Sequence, residues 1–301
     1  MAADFTADTA MLQIKMQMKA RMNEVAQFLD TAPDWQPLTA GSTNGLYRAH
    51  TNARSLVLRL NADAQLAFGV DRRREAAVLE VIQGYGWAPR VLHNGWQQGW
   101  CLMADEGMAI GPSTADSPLP ALLEALAEWQ QLDCQALARR PFDYPALFAA
   151  YRSALQAASH PLAINVLKQL TQLFATLPPV PACLTHHDLH WGNLCRPAET
   201  GASGLVVLDW EYAGIGNPWF DAAALRQSFG VTPETIAALP AWRRLSQAEV
   251  ERGLSTALWL NDALGWLWYQ VRGDNSGPAA AHTQEAERLL GFVGAGLPAI
   301  F

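Results

Sequence analysis

The sequence predicts an α+β chain of two lobes. The first, residues 1–103, is a small antiparallel-sheet lobe with one main helix, and the second, residues 104–301, is larger and mostly helical. Three observations support this. Up to residue 103, short apolar runs of strand length alternate with turn signals, and one helical pattern interrupts them. A linker follows, Ala104–Gly107 and then the Pro- and Ser-rich run Gly111 to Pro120. Beyond it, apolar residues recur at helical spacing almost to the end. With 301 residues, half of them apolar, the chain can fill a substantial core.

Taken in order, residues from about 9 to 30 carry a partial apolar face, Leu12, Met16, Val25, Phe28 and Leu29, and Pro33 and Pro37 end that helix. The turn-rich stretch Gly41-Ser42-Thr43-Asn44-Gly45 lies between two short strand candidates. It reads as a hairpin, and its small side chains would let backbone N–H groups approach phosphate. Ser55–Leu60 is an apolar strand with one charge, Arg59, which needs a partner. Asp71 caps a helix running to Ile82, and Glu75 on it is the candidate partner for Arg59. The three arginines 72–74 in its first turn oppose the helix dipole and read as a solvated face. Two strands, Arg90–His93 and Gly99–Met103, form a hairpin joined by Asn94-Gly95 and Gln97-Gln98. Helices are then expected at about 119–133, 145–157 and 160–177, with core positions such as Leu122, Leu126, Trp129, Phe148, Tyr151 and Leu155. Pro178-Pro179-Val180-Pro181 closes this block, and later helices cover Leu254 to Val271 and about 279–293.

The chemistry is concentrated in Leu184-Thr185-His186-His187-Asp188-Leu189-His190-Trp191-Gly192-Asn193-Leu194. An asparagine follows the aspartate by five positions. A second acid, Asp209, ends the apolar run Leu205–Leu208, 21 positions beyond Asp188. A short strand before the motif and a turn at Glu199–Gly204 between the two segments can bring both acids together. One carboxylate can take a proton from a hydroxyl, while an amide oxygen and a second carboxylate hold magnesium on a nucleotide.

Composition narrows the alternatives. Asp plus Glu number 28 against 21 Lys plus Arg, which argues against a nucleic-acid partner. The four cysteines form no C-x-x-C pair, so neither a zinc knuckle nor a disulfide framework is expected. No apolar run reaches membrane-spanning length and no signal-peptide pattern opens the chain, so a cytoplasmic protein without an obligate protein partner is expected. A zinc hydrolase would use the dense His186, His187, Asp188 and His190, but a metallo-β-lactamase-like site needs His-x-His-x-Asp-His, which is not present, and zinc would leave Asn193 and Asp209 idle. A silent kinase-like binding module is the non-enzymatic alternative, although the base and both metal ligands are in place.

These motifs resemble those of the aminoglycoside phosphotransferase/choline kinase superfamily, small-molecule relatives of the protein kinases, over about Leu38 to Val271. His186–Asn193 is similar to its His-Gly-Asp-Leu-His-x-x-Asn signature. Leu208-Asp209-Trp210-Glu211-Tyr212-Ala213-Gly214 resembles Ile-Asp-Trp-Glu-Tyr-Ala-Gly of the choline- and thiamine-kinase-like branches. Asn217–Asp221 resembles Asp-Pro-x-x-Asp.

The resemblance implies a two-lobed protein-kinase-like fold and an ATP- and Mg2+-dependent kinase acting on a small-molecule hydroxyl. It implies Asp188 as catalytic base, and Asn193, Asp209 and Glu211 as metal residues. Gly41, Ser42, Thr43 and Asn44 would cover the phosphates, Arg59 would touch them with Glu75 locking it, and Met103 to Glu106 would form the adenine hinge. His186 and Asp221 would support the catalytic loop. Histidine at 187 departs from the usual glycine, Arg59 from lysine, and Asn217 from aspartate. Arginine keeps the ability to bind phosphate. The Trp-Glu-Tyr after Asp209 points to cationic acceptors of the choline or thiamine type, with aminoglycosides or amino sugars as the alternative. Tyr212, Trp266, Trp268 and Tyr269 could supply cation–π faces. Choline kinases show Trp-x-x-Trp near this helix, whereas here the spacing is Trp266-x-Trp268, and core packing is the competing reading for these rings.

Overall fold

The computed structural model describes residues 16, 18–29, 31–38, 44–51, 54–63, 66–112, 117–196, 204–273 and 279–294, with backbone alone at 279–283 and 292–294. Its contacts divide into two compact units. The smaller contains the chain up to Ala67 together with Pro89–Glu106, and the larger contains Phe68–Ala88 and everything from Gly107.

The smaller unit is a five-stranded antiparallel sheet with one helix, α1, at residues 18–29. Its strands are β1 (Gln36–Pro37), β2 (Gly45–His50), β3 (Ser55–Leu60), β4 (Val91–Gly95) and β5 (Trp100–Ala104), in the order β1-β2-β3-β5-β4. The period of two in β3 sends Leu56, Leu58 and Leu60 to one face, where they pack with Val25 of α1 and with Trp100 and Leu102 of β5. Trp100 Nε1 donates to Glu24 on α1 at 3.0 Å, and Tyr47 Oη donates to Met18 Sδ at 2.9 Å. Gly99, at φ +85°, makes the tight turn into β5 that residues with a Cβ rarely adopt.

In the larger unit, α2 (Arg72–Val81) begins at Asp71, whose side chain accepts the N–H groups of Arg73 and Arg74. The strand β6 (Met108–Ala109) lies between the two stretches that the sequence reads as linker. Then come α3 (Leu119–Trp129), α4 (Gln135–Ala138), α5 (Tyr144–Ala157), α6 (Pro161–Phe174), β7 (Cys183–Thr185), β8 (Leu194–Arg196), β9 (Val206–Val207) and β10 (Gly214–Gly216). The chain continues with α7 (Trp219–Phe229), α8 (Pro233–Ala238), α9 (Gln247–Arg272) and α10 (Ala279–Gly294). A capping box, Ser246 with Glu249, starts α9. The apolar faces of α5, α6 and α9 meet in one cluster that includes Phe148, Leu155, Leu167, Leu170, Trp259 and Leu267.

Two short pairings matter for function. β7 and β10 are antiparallel, with Thr185 opposite Gly214 and Cys183 opposite Gly216. β8 and β9 are antiparallel, with Leu194 opposite Val207. Together they bring the segment 186–193 alongside the segment 208–217. No helix among the described residues is long and apolar enough to cross a membrane.

Candidate active site

The turn that carries Asp188 is held at every residue. His186 is fully buried. Its Nε2 donates to the carbonyl of Leu208 at 2.9 Å, and its Nδ1 accepts the N–H of Asp188 at 3.2 Å. Those two bonds fix one neutral tautomer, and burial holds the imidazole down to about 4. Asp221, also buried, accepts the N–H groups of His186 at 3.0 Å and of His187 at 3.0 Å. Burial pushes its carboxyl up to about 7, against the pull of those two backbone donors.

His187 stands at φ +68°, a region most non-glycine residues avoid. What its ring touches compensates this cost. Nε2 lies 2.6 Å from Tyr144 Oη, and the ring stacks on Phe142 at 4.3 Å. Tyr144 Oη also accepts the N–H of Asn217 at 2.7 Å. A Cβ at Gly216 would lie 2.7 Å from His187 Cε1 and 2.8 Å from Tyr144 Oη, so only glycine fits there. Burial, with Arg74 and His186 adding, lowers the His187 imidazole to about 3.

Asp188 itself leaves 41% of its side chain accessible. Asn193 Nδ2 donates to its carbonyl at 2.9 Å and reaches Oδ2 at 3.4 Å, and His190 Nε2 lies 3.8 Å from Oδ2. Desolvation raises the Asp188 carboxyl above the usual range; Glu211 adds to this, while His190 and Asn193 oppose it. Asn193 directs its Nδ2 at Asp188, and no protein hydrogen bond to its Oδ1 is seen among the described residues. Asp209 caps a 3-10 turn, Trp210–Tyr212, in the left-handed conformation (φ 62°, ψ 60°). An amide oxygen, the carboxylates of Asp209 and Glu211 and the oxygens of a nucleotide make a hard-oxygen set that fits magnesium. Among the described residues no group of three or more His, Cys, Asp or Glu could alone hold a metal ion.

The remaining sequence-predicted residues fall as follows. Gly41, Ser42 and Thr43 lie outside the described residues. Asn44 Oδ1 accepts the N–H of Ala62 at 3.1 Å. Arg59 is buried on β3, and its Nε donates to Asn61 Oδ1 at 3.1 Å. Met103 lies in β5 between Val57 and Val91. Glu106 is buried and accepts both the N–H and the Nε–H of Arg90, at 3.0 and 3.2 Å. Glu75 belongs to the larger unit, where its Oε2 meets Arg72 at 2.9 Å.

Tyr212 Oη accepts Trp268 Nε1–H at 3.1 Å and donates to the Phe68 carbonyl at 3.3 Å. The guanidinium of Arg272 sits 4.1 Å from the Trp268 ring centre. Trp266, about 200° from Trp268 around the helix, packs against the α5–α6–α9 core, while Tyr269 is half exposed.

One expectation is corrected. Only Arg73 of the three arginines on α2 faces solvent. Arg74 is 8% exposed and donates from Nε to the Ala213 carbonyl at 3.0 Å, with its guanidinium 4.5 Å from the Phe142 ring centre. Arg72 Nη1 bonds Glu75 and Glu211, each at 2.9 Å. The Arg72/Glu75 spacing of three was a readable helix pair, but the Tyr144–His187 pair and the Arg74–Ala213 bond carried no local signal.

The fold is kinase-like, with an antiparallel-sheet unit and a mostly helical unit that carries Asp188, Asn193 and Asp209. The profile described as phosphotransferase enzyme family matches residues 34–260, and the chain belongs to that family of small-molecule kinases. Solved structures with the same fold include the choline kinase LicA from Streptococcus pneumoniae, at TM-score 0.67 and 17% identity over 93% of this chain and 99% of that one. A choline/ethanolamine kinase family protein from Mesorhizobium loti matches at TM-score 0.64 and 20% identity, over 92% and 95%. The GDP and kanamycin complex of APH(2″)-IIIa matches at TM-score 0.65 and 16% identity, over 93% and 99%. A thiamine kinase of Escherichia coli (strain SMS-3-5 / SECEC) is 39% identical over 64 residues, a match spanning 21% of this chain and 22% of that one.

Proposed function

We propose that the protein moves the γ-phosphoryl group of ATP, with magnesium, to a hydroxyl of a small cationic alcohol of the choline or thiamine type. The observation behind this reading is the geometry of Asp188. Its backbone is fixed on both sides by His186 and Asn193, and its carboxylate is accessible. The acceptor hydroxyl attacks the γ-phosphorus, its proton passes to Asp188, and ADP leaves. Oδ2 is engaged by Asn193 and His190, so Oδ1 is the oxygen that takes the proton. The raised Asp188 carboxyl favours this, since a base is most effective when its pKa approaches the working pH. Asn193 Oδ1 and Asp209 would hold magnesium, with Glu211 in support, and the ion would supply charge neutralisation on the phosphates. Arg59 would meet the phosphates and Met103–Glu106 would hold the adenine.

Within the cationic class, the thiamine type is favoured over choline. The local likeness to a thiamine kinase supports it. A two-tryptophan cage for a bare quaternary ammonium is less supported, because Trp266 and Trp268 both pack against the helical core and Arg272 already covers Trp268. An aminoglycoside or amino-sugar acceptor is the second reading; the fold neighbour solved with kanamycin favours it. Asp188→Asn tests the base directly. Turnover should fall about 10²–10⁴-fold with nucleotide affinity retained, whereas near-normal turnover would remove Asp188 from its role.

A further inference from the structure

The turn that follows Asp209 is gripped, residue by residue, by the start of α2. Tyr212 Oη donates to the carbonyl of Phe68 at 3.3 Å. Glu211 Oε2 accepts from Arg72 Nη1 at 2.9 Å, and the same nitrogen holds Glu75 at 2.9 Å. The Ala213 carbonyl accepts from Arg74 Nε at 3.0 Å. Gly214 lets the Arg74 side chain pass close by, since a Cβ there would lie 2.9 Å from Arg74 Cδ. Glu75 and Glu211 are 1% and 3% exposed, so Arg72 links two carboxylates away from solvent. Asp209 meanwhile stands in a left-handed conformation that a non-glycine residue keeps only when its surroundings impose it.

From these contacts we infer that Arg72 and Arg74 are positioning residues for Asp209, holding the 211–214 turn so that the Asp209 carboxylate stays in its metal-binding position. The inference rests on the reading of Asp209 as a metal ligand. Groups that orient a ligand from behind usually matter about 10–100-fold in metal affinity when lost.

The test is nucleotide binding followed by tryptophan fluorescence at fixed ATP while Mg2+ is titrated, with no acceptor present. The proteins are wild type, Arg72→Met, Arg72→Lys, Arg74→Met and Asp209→Asn. Arg72→Met and Arg74→Met should raise the half-saturating Mg2+ about tenfold or more, with metal-free ATP binding unchanged. A merely structural loss would weaken both alike. Arg72→Lys keeps the charge between Glu75 and Glu211 but not the guanidinium geometry; it should give a smaller rise, and it carries the test if Arg72→Met does not fold. Half-saturation within twofold of wild type in the arginine variants, with Asp209→Asn impaired, would overturn the positioning role alone. An unimpaired Asp209→Asn would overturn the metal-ligand reading and the inference with it.

Discussion

His187 makes the catalytic turn labile to acid. Its imidazole is held down to about 3 by burial, with Arg74 and His186 adding, against an ordinary value of 6.5. As pH falls below 6.5, the unfolded chain takes up this proton first. The stability present above 6.5 is therefore lost progressively toward the folded value. Each pH unit well below 6.5 approaches a tenfold change in the folding equilibrium, so the fall from 6.5 to 4.5 removes roughly 2 kcal/mol through this side chain alone. His187→Asn removes the titration and keeps a residue that tolerates the left-handed backbone. Urea unfolding of both proteins at several pH values between 6.5 and 4.5 isolates the effect, because His186 and Asp221 contribute similarly to each. The stability gap between wild type and variant should shrink by roughly 2 kcal/mol across that range. A gap independent of pH would refute the reasoning, since it would mean that His187 titrates alike in the folded and unfolded chains.

Further outcomes follow from the same turn. Gly216→Ala should destabilise by about 1–3 kcal/mol, because the new methyl meets His187 and Tyr144 at under 3 Å; urea unfolding measures this. Tyr144→Phe deletes the hydroxyl shared by His187 and the Asn217 N–H and should cost about 1–3 kcal/mol in the same assay. Asp221, raised to about 7 by burial, stays protonated in the folded state while the unfolded chain ionises. Its contribution to stability therefore falls as pH rises from about 4 to 7, by up to about 1.4 kcal/mol per unit, and Asp221→Asn should abolish that component of the pH profile.

The parts of the fold legible in the sequence were those set by local rules. The apolar run Ser55–Leu60 marked a strand, Asp71 marked the start of α2, and the turn residues between 94 and 98 marked the hairpin of β4 and β5. Strand, turn and strand around 183–209 also indicated how two distant acids could approach. The two-residue β6 was too short to show any period. The burial of Arg72 and Arg74 was hidden because their partners, Glu211 and Ala213, each lie 139 positions away. Helix-dipole reasoning favours solvent for an arginine in a first turn, and that preference was overridden by tertiary partners the local pattern does not contain. The histidine in place of glycine at 187 showed that something unusual was needed. Tyr144, 43 positions earlier, supplies it, and no spacing rule links the two.

The measurement to make first is magnesium-dependent ADP release from ATP across a panel of acceptors: choline, ethanolamine, thiamine, an aminoglycoside, N-acetylmuramate and homoserine, with Asp188→Asn as control. Stimulation by thiamine above choline, absent in Asp188→Asn, is the expected result. ATP binding with no stimulation by any acceptor, or equal stimulation of wild type and Asp188→Asn, would contradict a cationic-alcohol kinase working through Asp188.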